Sequence, residues 1–110
     1  MANRTPLIHP KRLRVNGTAR TTAHISWVLA PNNRDSSDYF LRARYWREGE
    51  HGSLARHVDV SSTDTSCLLE NLDPETHYCC NIFILSVDEH ERSSTSSIRG
   101  FWTLDEDLEE

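Results

Sequence analysis

Leu72-Asp73-Pro74-Glu75-Thr76-His77-Tyr78, running on into Cys79-Cys80-Asn81-Ile82-Phe83-Ile84, decides how this chain folds. Pro74 presets its own backbone for a turn, and the flanking Asp73 favours one through its short side chain. The residues that follow are β-branched and aromatic, which suits a pleated strand. Tyr78 stands at the head of that strand. In a two-sheet β-sandwich, a Tyr at such a corner buries its ring and bonds its hydroxyl to the backbone a few residues upstream. That bond pins the crossing between sheets. Leu72, Pro74 and Tyr78 are therefore expected to be structural residues.

Outward from the corner, short apolar or alternating runs are separated by Asn, Asp, Gly, Ser and Pro clusters, the punctuation of an all-β chain. No segment of helical length carries a 3.6-residue period with caps. The first strand includes Leu13 and Val15 and is expected to close at Asn16-Gly17. The second is Thr22 to Leu29, with Ile25, Trp27 and Leu29 on one face and His24, Ser26 and Val28 on the other. Ala30 to Asp38 is a polar loop. The third strand, Tyr39 to Trp46, puts Tyr39, Leu41, Ala43 and Tyr45 on one face and Phe40, Arg42, Arg44 and Trp46 on the other. Glu48 to Gly52 is a turn. Leu54 to Val60 is a more polar strand suited to a sheet edge, where charge discourages stray pairing. Ser66 to Leu69 enters the corner, Tyr78 to about Val87 leaves it, Asp88 to Ser94 is a charged loop, and the last strand covers about Ser97 to Leu104. Seven strands in this order suit a Greek-key, immunoglobulin-like β-sandwich.

These residues resemble the fibronectin type III family over about Pro6 to Leu104. The resemblance rests on Leu13-x-Val15, Trp27, Leu41-x-Ala43-x-Tyr45, the Leu72-to-Tyr78 corner and Thr103 near the end of the last strand. An antibody-like frame fits poorly, because it needs Cys before Trp and here Trp27 precedes every Cys. The resemblance implies a module that binds or spaces rather than catalyses. It places Trp27 between the sheets, with Ile25, Leu41, Ala43, Leu69, Ile82 and Ile84 around it. Arg-Gly-Asp, which some members use to bind integrins, is missing from the charged loop.

The net charge is −5, yet the tail Asp105 to Glu110 holds five acids and no base, leaving 12 acids against 12 bases elsewhere. That balance argues against a nucleic-acid surface, which needs clustered basic excess, and residues 105–110 read as an acidic tail or linker. No apolar run approaches the ~20 residues of a membrane helix, so this segment is expected not to insert in a membrane. The start, Met1-Ala2-Asn3, has no secretory hydrophobic region, so the chain is expected to be a domain cut from a longer protein. Asn3-Arg4-Thr5 and Asn16-Gly17-Thr18 are N-glycosylation sequons, making Asn3 and Asn16 candidate glycan sites.

Three cysteines are too few for a disulfide scaffold. Alternation turns Cys80 inward with Tyr78 and Ile82 and turns Cys79 outward; the family frame turns Cys67 and Leu69 inward. Cys67 and Cys80 are either buried free thiols, which behave as small hydrophobes, or an inter-sheet disulfide requiring Cα atoms within ~7 Å. No Cys-x-x-Cys occurs and the six His are scattered, so no zinc pattern is legible. No Gly-x-Ser-x-Gly elbow or Gly-rich phosphate loop occurs. Asp88-Glu89-His90 reads as solvated loop, and Asp73 with Glu75 as turn chemistry. No enzyme activity and no cofactor are expected.

The outer face of the third and sixth strands is the candidate binding surface. Phe40, Arg42, Arg44 and Trp46 on one strand adjoin Phe83 and Leu85 on the other, and aromatic residues with Arg are enriched at interface cores. Packing across neighbouring strands accounts for the same residues without a partner. The charged loop, with Ala30 to Asp38, is the other candidate. The expected function is a non-catalytic interaction or spacer module in an extracellular or receptor-like protein, contacting a protein partner or a neighbouring domain. The alternative is a structural unit of an intracellular tandem array.

Overall fold

The computed structural model describes residues 7–31 and 35–105. Seven strands form two antiparallel sheets: β1 (Lys11–Thr18), β2 (Ala23–Val28), β3 (Tyr39–Arg47), β4 (Arg56–Ser61), β5 (Ser66–Leu69), β6 (His77–Ser86) and β7 (Arg99–Trp102). The order is β1-β2-β5 in one sheet and β4-β3-β6-β7 in the other. The polar strand β4 lies at an edge, as its composition suggests. Short 3-10 turns at Ser36–Asp38 and Gly52–Leu54 lead into β3 and β4.

Period-two alternation builds the core. Along β3, Tyr39, Leu41, Ala43 and Tyr45 are buried while Phe40, Arg42, Arg44 and Trp46 are half-buried. Ile25 and Trp27 from β2, Leu69 from β5, and Tyr78, Cys80, Ile82 and Ile84 from β6 meet them between the sheets. The Trp27 indole does more than fill space: Nε1 donates to the Asp64 carbonyl at 2.8 Å, tying β2 to the β4–β5 turn. A buried Trp N–H needs such a partner.

Tyr78 is fully buried, and its hydroxyl accepts from the Asp73 amide at 2.9 Å. Its ring stacks on Phe101, centroids 5.8 Å apart. Thr103 adds a second lock: Oγ1 donates to the Asp73 carbonyl at 2.6 Å and accepts from the Thr76 amide at 2.9 Å. The backbone amide of Leu72 reaches the Thr21 carbonyl at 2.9 Å. The corner is thus closed by the beginning and the end of the chain together.

Most strand boundaries differ from expectation by a residue or two: Leu54, expected to open the polar strand, lies in the 3-10 turn, and β4 begins only at Arg56; the ends of β1 and β7 teach the most. Asn16-Gly17 does not end β1, which continues to Thr18 through a register shift between Val15 and Gly17. The turn signal marks a bulge, another place where glycine is favoured inside a ladder. β7 spans only Arg99–Trp102 and pairs with β6 only from His77 to Cys80. Beyond it, serine hydroxyls replace a strand. Ser96 Oγ accepts from the Ile82 amide and Ser93 Oγ from the Ile84 amide, both at 2.9 Å. The same hydroxyls donate to the Ser97 and Ser94 carbonyls. Buried amides need partners whatever supplies them, so β6 stays satisfied although its neighbour is irregular. Asn3, Pro6 and residues 106–110 lie outside the described residues.

Candidate functional site

The outer face of the four-stranded sheet is laid out by register. Opposite Phe40, Arg42, Arg44 and Trp46 on β3 stand Leu85, Phe83, Asn81 and Cys79 on β6. On the other side of β3, Arg42 faces Asp59 and Arg44 faces His57. Beyond β6, Cys79 faces Gly100 and His77 faces Trp102. All six candidate residues therefore lie on this one face.

They are not equally accessible. Phe83 and Leu85 are only 4% and 6% exposed, although they belong to the face opposite the core. The expectation of an open Phe83–Leu85 surface is corrected here, and the cause is the segment after β6. Arg92 lays its guanidinium over the Phe83 ring, 5.9 Å from the centroid, and forms an isolated bridge with Leu85. Arg42 stands 5.6 Å from the Phe40 centroid. It grips Asp59 through two bonds, Nε to Oδ1 at 2.7 Å and Nη2 to Oδ2 at 3.0 Å, and reaches Glu89 at 3.5 Å. The Arg42 hydrogen bonds hold the Asp59 carboxyl below its usual range. This end is closed by its own side chains.

The other end is open. Trp46 is half-buried, with Arg44 5.7 Å from its ring centroid, and Arg44 Nη2 donates to the Gly52 carbonyl at 3.3 Å. Trp102 is 62% exposed and packs on His77 with centroids 5.0 Å apart. His77 Nδ1 contacts Glu48 Oε2 directly. Asn81, in the middle of the face, is buried and its Oδ1 has no hydrogen-bond partner among the described residues. Sequence reasoning did not single out Trp102 or His77. The available signal was parity, because Phe101 and Thr103 face inward and so Trp102 faces out.

All three cysteines are free thiols. Burial pushes the Cys80 thiol up to about 12 and the Cys67 thiol up to about 11. Cys79, half-buried on the outer face, is also raised, by desolvation first and then by the Glu48 carboxylate. Raised thiols are poor nucleophiles, so none is activated for attack. The Asn16 side chain, exposed on β1, donates to Ser26 Oγ at 2.8 Å. Asp88 and His90 sit at the exposed tip of the charged loop, where Asp88 Oδ1 accepts from the His90 amide at 3.0 Å. This is turn geometry. No described helix is long and apolar enough to cross a membrane.

Comparison with known proteins places this sandwich. The model of the fibronectin type III domain matches residues 9–99. The chain belongs to the fibronectin type III family. It is similar to contactin-2 from Rattus norvegicus, 28% identical over 77 residues, which span 70% of this chain and 7% of that relative. The chain thus corresponds to a small part of the relative's length. Among solved structures, the chicken CNTN1 FN1-FN3 domains align with TM-score 0.77 and 23% identity, covering 94% of this chain and 33% of that one. The third fibronectin III domain of human KIAA0343 protein aligns with TM-score 0.77 and 21% identity, covering 94% and 87%. At those identities the two structures speak for the fold.

Proposed function

We propose that this domain is a non-catalytic interaction or spacer module of a larger extracellular or receptor-like protein. Its contact surface is the Trp46–Trp102 end of the outer sheet face. The observation that carries this reading is Trp102, a large aromatic side chain 62% exposed beside His77, one strand from the Cys79–Trp46 pair. Exposed Trp is enriched where partners bind. Family membership and the likeness to contactin-2 support a binding or spacing role. Arg42, Phe83, Leu85 and Phe40 then act as support for this surface, and Arg44 holds Trp46 in place. The Asn16 sequon, exposed on a sheet-edge strand, supports a secreted setting. The free state of all three thiols favours the second reading, a structural unit of an intracellular tandem array.

The test is a Trp46→Ala, Trp102→Ala double variant, assayed for association with the neighbouring domain of its parent chain and with cells bearing the partner. A hot-spot surface loses at least about 2 kcal/mol of binding. Undiminished binding by a folded double variant would move the contact surface to the charged loop. Expression through a eukaryotic secretory pathway separates the two settings: a glycan mass on the wild type that Asn16→Gln removes supports the extracellular one.

A further inference from the structure

Three metal-binding side chains converge at the open end of the outer face. His77 and Cys79 alternate with Tyr78 on β6 and so project on one side of the sheet. Glu48 follows β3, and its amide donates to the His77 carbonyl at 3.0 Å, which fixes the turn against β6. One ligand atom from each of Glu48, His77 and Cys79 lies within 4.8 Å of the other two, and among the described residues this is the one such group of three. We propose that Glu48, His77 and Cys79 form a binding site for a divalent transition metal of the zinc type.

The chemistry of the donor set supports that ion. One thiolate, one imidazole and one carboxylate suit zinc, whereas calcium and magnesium prefer oxygen alone. Metal–ligand bonds of 2.0–2.3 Å in a tetrahedron put donors about 3.3–3.7 Å apart. The three donors, all within 4.8 Å of one another, are near that spacing, and Glu48 carries its carboxylate on a long, exposed side chain. The imidazole is already aimed. Its Nε2 lies against Gly100, where an added Cβ would approach to 2.9 Å, and its Nδ1 faces Glu48. Glycine at position 100 is therefore what lets the ring lie across β7, with the Trp102 ring centroid 5.0 Å away. Such orientation by surrounding groups is what a metal-ligating His needs.

Three protein ligands leave the fourth position open to water or to a donor from outside, as in sites that are not purely structural. Binding releases the Cys79 thiol proton to solvent, since the thiolate is the ligand. The site needs no protein partner, so it stands or falls apart from the contact surface proposed above.

The test uses the metal alone. Zn²⁺ is titrated into the folded domain against a chromophoric chelator, and Co²⁺ into a second sample to record thiolate-to-metal absorption in the near ultraviolet. The expected result is one equivalent bound and a charge-transfer band that Cys79→Ser abolishes and Cys67→Ser leaves unchanged. Cys79→Ser and His77→Ala should each weaken zinc binding by at least about tenfold. Glu48→Gln, at an exposed position where the fold is safe, should weaken it measurably with an unchanged circular dichroism spectrum. Absence of the thiolate band, its survival in Cys79→Ser, or zinc affinity in all three variants within about twofold of wild type would overturn the site.

Discussion

The two ends of the outer sheet face obey the same alternation and end in opposite states. Phe83 and Leu85 are buried at one end, whereas Trp102 stands 62% exposed at the other. The difference lies in what flanks β6. From His77 to Cys80 it pairs with a regular strand, which adds little cover because its outward residues are Gly100 and Trp102. From Ile82 to Ser86 its neighbour is an irregular segment held by Ser93 and Ser96, and that segment carries Arg92 back over Phe83. A side chain's face is set by its strand; its exposure is set by whatever the next segment lays over it.

The largest effect that tests this contrast is at Phe83. Removing a ring packed between Arg92 and the β3 residues should cost about 3–5 kcal/mol in Phe83→Ala, read as a lower denaturant midpoint at unchanged slope. A loss below about 1 kcal/mol would mean that the closed end is no better packed than the open one.

A smaller effect is expected from the Arg42–Asp59 pair that seals the closed end. Arg42 lowers the Asp59 pKa in the folded protein from its ordinary 3.8. The carboxylate therefore adds stability at neutral pH, and this is lost as the pH falls below 3.8 and through the folded value. Asp59→Asn should be the less stable protein at pH 7, with the gap closing in acid. A gap that stays constant from neutral to acid pH would count against the ion pair as its source. With the carboxylate partly exposed, the difference should be modest.

The smallest effect belongs to the open end. Trp102→Ala should shift stability by no more than about 0.5 kcal/mol. A larger loss would show that Trp102, through its contact with His77, is part of the packed structure and not a free surface.

Much of the fold was legible from local rules. Leu72 to Tyr78 marked the corner because a Pro-containing turn and a strand-leading Tyr are readable side by side. Trp27, Leu41, Ala43 and Tyr45 declared their inward face by parity. Asn16-Gly17 misled, since the pair suits a bulge as well as a turn and only the pairing of β1 with β2 distinguishes them. The last strand is shorter than its local propensity suggests because its ladder with β6 covers only Arg99 to Trp102; the rest of β6 is met by the hydroxyls of Ser93 and Ser96, which no strand propensity foretells.

By itself, then, the sequence determined the family, the corner and which face each strand residue takes, because those follow from chirality, the two-residue period and the geometry of Pro and Tyr. Only the tertiary structure decided which outward residues stay open and which ligands meet. Phe83 is closed by Arg92 from a different segment. His77 and Cys79 gain Glu48 because the turn after β3 hydrogen-bonds to the start of β6. Such meetings depend on long-range register and on how loops cover the sheet, and no local pattern encodes them.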